Sequence, residues 1–447
     1  MIAHYAHYIQ CALGSLLTIC CGFNYAWTSP YLPILLSEDS PISMSAEESS
    51  WIGTIYLLGG LCGSLLLSAV GHLIGRKTIL IWTCLPVCAS LALIAFAKTL
   101  FQLLIGRIIA GVSLGLAFST LQIYLSEITD REVRGLLCST VSVMTYVGMM
   151  VVNVIGTYMS IKISSLVCLT VPVLIFIGFI SMPEPPNYLL MKGRREEARQ
   201  CLVSLKGSDQ VDHNLHAIIK VIDQERLNKT PFTSMFKKIH RRKLLTLLGL
   251  RVAQQFSGAT AFNLYTQTVL QEAGDSISPL RGTVILYTTQ IVFSGISSLL
   301  VDKLGRRPLL ITSALGTICV LLAGGSFFFV RDVVEMDTSH ASYMPALILI
   351  TFMLSYGLGL QTLPNFSATK LFPTNLKPYA CTLGDVVFYT FGVIVSEYFQ
   401  FTKDNFGMFV PFWSFAICCS IGLVIVVIFM PETKNKTLED IQIELNH

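Results

Sequence analysis

Twelve stretches of mainly apolar residues run through this chain, near 9–35, 51–70, 79–97, 103–125, 136–160, 164–182, 244–270, 283–301, 308–330, 345–369, 379–401 and 407–430. Each approaches or exceeds the roughly 20 residues a helix needs to cross a bilayer. A soluble core has no use for a dozen such spans. With 53% of the 447 residues apolar and 13% charged, the chain also lacks the polar surface to coat a globule. The sequence therefore predicts an all-α integral membrane protein of twelve transmembrane helices, with the lipid bilayer as its solvent. Several spans hold internal Gly, Pro, Ser or Thr, which bundles tolerate because neighbouring helices re-satisfy the loosened backbone.

The positions of Lys and Arg set an orientation. With both termini in the cytoplasm, the inner loops carry Arg76, Lys77, Arg131, Arg134, the basic stretch 192–243, Lys303, Arg306, Arg307, Lys370 and Lys377. The opposite loops carry few basic residues, and segment 37–50 has Glu38, Asp39, Glu47 and Glu48 with no Lys or Arg. A multi-pass protein of the cell membrane with both termini cytoplasmic is expected, and the first span is read as retained rather than cleaved. The net charge of +4 is too small to suggest nucleic acid. Neither the cysteines nor the histidines have metal-ligand spacing, and no G-x-x-x-x-G-K-[ST] loop for a nucleotide occurs. No enzyme, cofactor or metal is expected, and the chain should act as a monomer.

One segment, 184–243, is polar and basic, and it divides the spans six and six. Short signatures recur across it in the same order. GHLIGRK at 71–77 is answered by VDKLGRR at 301–307, LSEITDREVRG at 125–135 by TKLFPTNLKP at 369–378, and PEPPNY at 183–188 by PETKNK at 431–436. The expected organisation is a six-helix bundle over 1–183, a helical cytoplasmic linker over 184–243, a second bundle over 244–431 and a short tail over 432–447. Two pseudo-symmetric bundles of this kind place a solute site at their interface near the bilayer midplane.

The chain resembles the sugar porter family of major facilitators over nearly its whole length. The resemblance rests on AWTSP at 26–30, Gly106-Arg107, YLSE at 124–127 with Arg134-Gly135, PEPP at 183–186, QQFSG at 254–258, DKLGRR at 302–307, PET at 431–433 and KTLEDIQ at 436–442. It implies facilitative transport of a sugar, hexose or trehalose, by alternating access. A proton-linked carrier or carrier of another small polar solute, and a sugar sensor without flux, are the alternatives. The amides and hydroxyl of Gln254, Gln255 and Ser257 suit a hydroxyl-rich, uncharged solute by their own chemistry, though interhelical hydrogen bonding would use the same groups.

By resemblance the Gln pair falls on the sugar-binding glutamines of the seventh span. Asn24 falls where facilitative members have a neutral residue and proton-coupled ones an Asp. Thr260 and Gln290 stand where the family has Asn, and Thr362-Leu363-Pro364-Asn365 replaces Pro-x-Pro-Trp. Phe388-Tyr389 stands at the Asn-Trp position and Ser142 at that of a glutamine. The candidate cargo residues are thus Asn24, Ser142, Gln254, Gln255, Thr260, Gln290, Asn365 and Phe388.

Arg76, Arg107, Glu127, Arg134 and Glu184 in the first half, with Asp302, Arg306, Arg307, Lys370 and Glu432 in the second, are read as charges at cytoplasmic span ends. Opposite charges there can pair when that face closes and part when it opens. Lys370 stands where the family has an acid, so unless a carboxylate compensates, like charges face each other and the closed cytoplasmic face should be weakened; the alternative is that Lys370 snorkels to the headgroups.

Overall fold

In a computed structural model of the chain, the described residues are 2–430 apart from 39, 41, 43, 72–73, 129–133, 181–183, 185, 207–210, 212–214, 216–218, 220–231, 238–239, 272–277, 338, 342, 365–370 and 373–375. The first half contains α1 (Ile2–Tyr25), α2 (Thr28–Leu35), α3 (Ala46–Val70), α4 (Arg76–Phe96), α5 (Leu100–Ile128), α6 (Arg134–Tyr158) and α7 (Ile161–Ile180). Two short helices, α8 (Pro186–Met191) and α9 (Arg195–Lys206), follow. The second half contains α10 (Arg241–Phe256), α11 (Ala259–Leu264), α12 (Thr266–Gln271), α13 (Pro279–Leu304), α14 (Arg306–Asp332), α15 (Met344–Leu358), α16 (Lys377–Phe406) and α17 (Phe409–Phe429).

Eight helices among the described residues are long and apolar enough to cross a membrane, and in none of them is more than 50% of the apolar window covered by protein. Side chains such as Trp82, Phe101 and Leu174 lie outward at 65%, 72% and 66% exposure. Apolar surface on that scale calls for lipid rather than water. Some of the predicted spans are broken. The first is α1 followed by α2, the seventh is α10, α11 and α12 in sequence, and the tenth is α15 followed by a turn.

Each break has a local cause. Gly258 sits at φ +83°, where a Cβ would meet the ring of Phe415, and glycine alone adopts that backbone without strain. In the tenth span Ser313 of α14 donates to the Ser355 carbonyl at 2.7 Å and accepts from the Leu360 N–H at 3.0 Å. The hydroxyl thus satisfies the groups that a helix end leaves open. By contrast α3 begins with a capping box, the Glu48 N–H donating to the Ser45 hydroxyl at 3.1 Å and the Ser45 N–H to the Glu48 carboxylate at 2.8 Å.

The packing repeats as the signatures do. In the first half α3 packs on α5, α4 on α5 and α7, and α1 on α6. Six spans later α13 packs on α15, α14 on α15 and α17, and α10 on α16. The halves meet through α3 against α16 and α6 against α13, two contacts that the same pseudo-symmetry exchanges. We call the end of the bundles nearest α8 and α9 the linker side and the other the far side.

Candidate functional site

The broken seventh span carries a pair of glutamines held at both ends of their amides. Gln254 donates from Nε2 to the Gln361 carbonyl at 2.8 Å and accepts at Oε1 from Arg251 at 3.2 Å. A guanidinium offers donors only, so Arg251 determines which way the Gln254 amide faces. Gln255 donates to the Phe388 carbonyl at 2.6 Å and accepts from the Thr260 hydroxyl at 2.5 Å. Thr260 in turn accepts from the Tyr25 hydroxyl of α1 at 3.3 Å. A neutral hydrogen-bonded chain therefore runs from one half into the other, next to the break at Gly258.

Arg251, 5% exposed, also donates to Asp385 of α16 at 3.0 Å and lies 5.7 Å from the ring of half-buried Phe388. Sequence reasoning missed this intramembrane ion pair. The signal was present, because a charge inside an apolar stretch is costly enough to demand a partner, and 244–270 contains Arg251 while 379–401 contains Asp385 and Glu397.

Of the other expected cargo residues, Gln290 is fully buried, donating to Asn263 Oδ1 at 3.4 Å and to Met353 Sδ at 2.6 Å. Ser142 is half-buried on α6. Asn24 is buried in the first half, its amide donating to the Cys20 carbonyl at 3.0 Å. Asn365 lies outside the described residues.

Arg107 departs from its expected place at a linker-side helix end. It lies about two turns into α5 from the far-side start of that helix and is fully buried. It donates to the carbonyls of Asn24 at 2.6 Å and Ile52 at 3.2 Å and to the Thr28 hydroxyl at 3.1 Å. The rings of Tyr56 and Trp27 lie 4.5 Å and 5.2 Å from its guanidinium carbon. These dipoles and π-faces stand in for a carboxylate, so the residue knits α1, α2, α3 and α5 together instead of joining a linker-side network.

Glu184 lies against the start of α4. Its carboxylate accepts from the Lys77 and Thr78 N–H groups at 3.3 Å and 3.2 Å and from the Thr78 hydroxyl at 2.7 Å. It caps the first turn of α4 within its own half, where a negative charge complements the helix dipole. Arg76 donates to the Gly71 carbonyl at 3.4 Å, Arg307 to the Val427 carbonyl at 2.7 Å, and Arg306 is half-buried at the start of α14. The side chains of Glu127, Arg134 and Asp302, and the whole of Lys370 and Glu432, lie outside the described residues.

Towards the far side the halves are bridged by groups the sequence did not single out. Ser29 donates to Asn153 Oδ1 at 2.9 Å, and Gln267 of α12 donates from its N–H to Ser29 at 3.1 Å and from its amide to the same Asn153 oxygen at 3.1 Å. Nearby, Thr54 of α3 donates to the Glu397 carboxylate of α16.

The family model described as "Sugar (and other) transporter" matches residues 10–445. The chain is similar to the facilitated trehalose transporter Tret1 of Culex quinquefasciatus, 32% identical over 438 residues that are 97% of this chain and 84% of that protein. It is 31% identical to Tret1 of Aedes aegypti, covering 97% of this chain but 54% of that relative's length. In structure it is similar to the major facilitator superfamily proton:xylose symporter XylE bound to 6-bromo-6-deoxy-D-glucose, with a TM-score of 0.82 at 19% identity over 99% of both chains. An inward-open form of XylE from E. coli gives 0.80 at 19% identity over 98% of this chain and 99% of that one. The likeness in shape identifies the major facilitator fold, two six-helix bundles of twelve spans.

Proposed function

The chain belongs to the Sugar (and other) transporter family, and on that premise we propose that it carries a neutral sugar, a hexose or trehalose, across the cell membrane by alternating access. The observation that carries this reading is the pinned glutamine pair. Gln254 and Gln255 sit at the break of the seventh span, held in fixed orientations among amides, hydroxyls and carbonyls. Neutral donors and acceptors of this kind match hydroxyls, each of which gives and takes a hydrogen bond. The charges beside them, Arg251 and Asp385, cancel one another, so the region offers no net charge to an ionic solute.

Facilitative rather than proton-linked transport is supported by Arg107. Its partners are two carbonyls, a hydroxyl and two aromatic rings, none of which takes up a proton near neutral pH. Asn24, beside it, is an amide. The cycle we infer has the two bundles rocking about the glutamine region, both termini cytoplasmic, with units 1–183 and 244–431 joined by 184–243. In this reading Ser29, Asn153 and Gln267 hold the outer face shut, and the charges near 127–134, 302–307, 370 and 432 act on the inner face.

Uptake of labelled glucose and of labelled trehalose into vesicles containing the purified chain tests the proposal. The expected result is saturable uptake of at least one sugar, unchanged by an imposed pH gradient and lost in Gln254→Ala and Gln255→Ala. Uptake that follows the pH gradient would replace the facilitative reading by a proton-linked one. Saturable flux of another solute with no competition from either sugar would overturn the substrate class.

A further inference from the structure

A second polar row lies beside the pinned glutamines, in the seam between α13 and the tenth span. Gln290, Ser294 and Gln361 are 0%, 1% and 5% exposed. Among the described residues, Oε1 of Gln290, Oγ of Ser294 and both amide atoms of Gln361 have no hydrogen-bond partner. Buried polar atoms are nearly always paired, and exceptions mark a strained site, a catalytic one or a missing partner.

The three side chains share one seam. Gln290 and Ser294 are four residues apart on α13 and so lie on one face. That face is turned to the tenth span, since Gln290 reaches Met353 Sδ at 2.6 Å and Ser297 donates to the Leu358 carbonyl at 2.7 Å. Gln361 follows the end of α15, where its N–H donates to the Tyr356 carbonyl at 3.1 Å. From there its side chain folds back over Gly357. A Cβ placed at Gly357 would lie 3.3 Å from Gln361 Oε1 and 3.9 Å from Cβ of Phe293, which sets the amide against the same stretch of α13. The row is also continuous with the glutamine pair, because the Gln361 carbonyl is what Gln254 holds at 2.8 Å. Had α15 continued as a helix past Leu358, the chain at Gln361 would not take this course.

Chemically the row supplies amide oxygens that accept, a hydroxyl that does both and an amide N–H₂ that donates, all without charge. Adjacent hydroxyls on a ring present the complementary alternation. We propose that Gln361 and Ser294, together with Gln290, form a hydroxyl-binding subsite that receives a vicinal pair of hydroxyls on the cargo. This rests on the sugar-transport reading given above and adds a specificity-determining residue, Gln361, from the turn that ends the tenth-span helix.

The test measures displacement of labelled glucose and labelled trehalose by a series of monodeoxy glucose and trehalose analogues, using the full chain in vesicles. Wild type is compared with Gln361→Leu and Ser294→Ala, and Gln361→Ala serves if the leucine variant does not fold. The expected result is a loss of affinity of about tenfold for the parent sugar in Gln361→Leu, the size of a single well-placed hydrogen bond, with the maximal rate changed less than about twofold. One deoxy analogue that binds wild type weakly should show no such deficit in the variant, because the group it would have met is gone. Ser294→Ala should lose discrimination at the same or the neighbouring hydroxyl. If every deoxy penalty is the same in wild type and variants, the seam holds ordered water only and the subsite is overturned. If wild type itself binds neither sugar nor any analogue, it is the sugar reading that fails, and this inference with it.

Discussion

Removing the acid of the Arg251–Asp385 pair should be among the most damaging single changes in the second half. The two groups are 3.0 Å apart, with side chains 6% and 16% exposed. Asp385→Leu leaves a guanidinium in a medium where an uncompensated charge costs about 3–5 kcal/mol. The loss spreads further, because Arg251 also orients the Gln254 amide at 3.2 Å. An Arg251→Leu, Asp385→Leu double variant removes both charges at once, and such replacements of a buried pair by apolar residues are often neutral. The stability cycle should therefore be strongly non-additive, with each single variant well below wild type and the double variant recovering most of the difference. Apparent melting temperature in detergent and sugar affinity are the assays. At roughly 2 °C per kcal/mol for a large chain, the single Asp385→Leu variant should melt about 6–10 °C lower. In affinity no recovery is expected, since the double variant no longer fixes the Gln254 amide. If the single variants melt within a degree of wild type, or if the double variant's deficit equals the sum of theirs, the two side chains do not act as a buried ion pair and the argument fails.

Other outcomes follow from named contacts. Asn153→Leu removes the oxygen that accepts from both Ser29 and Gln267, and the loss of about 1–3 kcal/mol from this bridge should open the far side more often; site-directed cysteine labelling at far-side positions checks it. Thr260→Val interrupts the hydroxyl between Gln255 and Tyr25 and should weaken sugar affinity by about fivefold to tenfold in the same uptake assay without lowering expression. Gly111→Leu would drive a side chain into the Tyr56 carbonyl of α3 and should abolish folded material on size-exclusion chromatography. Gly295→Ala meets nothing within 4 Å and should be tolerated, with a slight gain expected from lower backbone freedom in the unfolded chain.

The spans and their duplication were legible because they depend on local quantities, namely apolar length and recurring short signatures. The breaks were not. The stretches 244–270 and 345–369 read as continuous helices, yet the first is interrupted where Phe415 leaves room only for Gly258, and the second where Ser313 takes over the helix end. Both causes lie on helices distant in sequence. Gln254, Gln255, Thr260 and Phe388, expected from the sequence as cargo residues, come from one short motif and its facing helix, and in the structure Gln255 bonds both Thr260 and the Phe388 carbonyl. Arg107 was misjudged because charge type was read without depth, although its distance from the start of its own span was countable. Glu184 is expected from the sequence among the charges at cytoplasmic span ends, but the sequence does not show that the Lys77 and Thr78 N–H groups lie within hydrogen-bond reach of its carboxylate. Gln361 and Ser294 passed unnoticed, since nothing in a sequence distinguishes a paired amide from an orphaned one.

The glycines that α3 and α5 share have a mechanical corollary. At Gly59, Gly63, Gly111 and Gly115 the backbones of these helices touch, so that even a methyl group would meet main-chain atoms of the opposite helix. Separating two helices in such contact would open a void, and close-packed elements resist that, so on the transport reading proposed above this quarter of the molecule is expected to travel as one stiff beam. If the proposed alternating-access cycle holds, deformation is expected at the interrupted helices, at Ala26-Trp27, Ser257-Gly258 and Gly359-Leu360. Those elbows adjoin Asn24, the glutamine pair and Gln361, so the bending of the protein and its grip on a solute would be a single event.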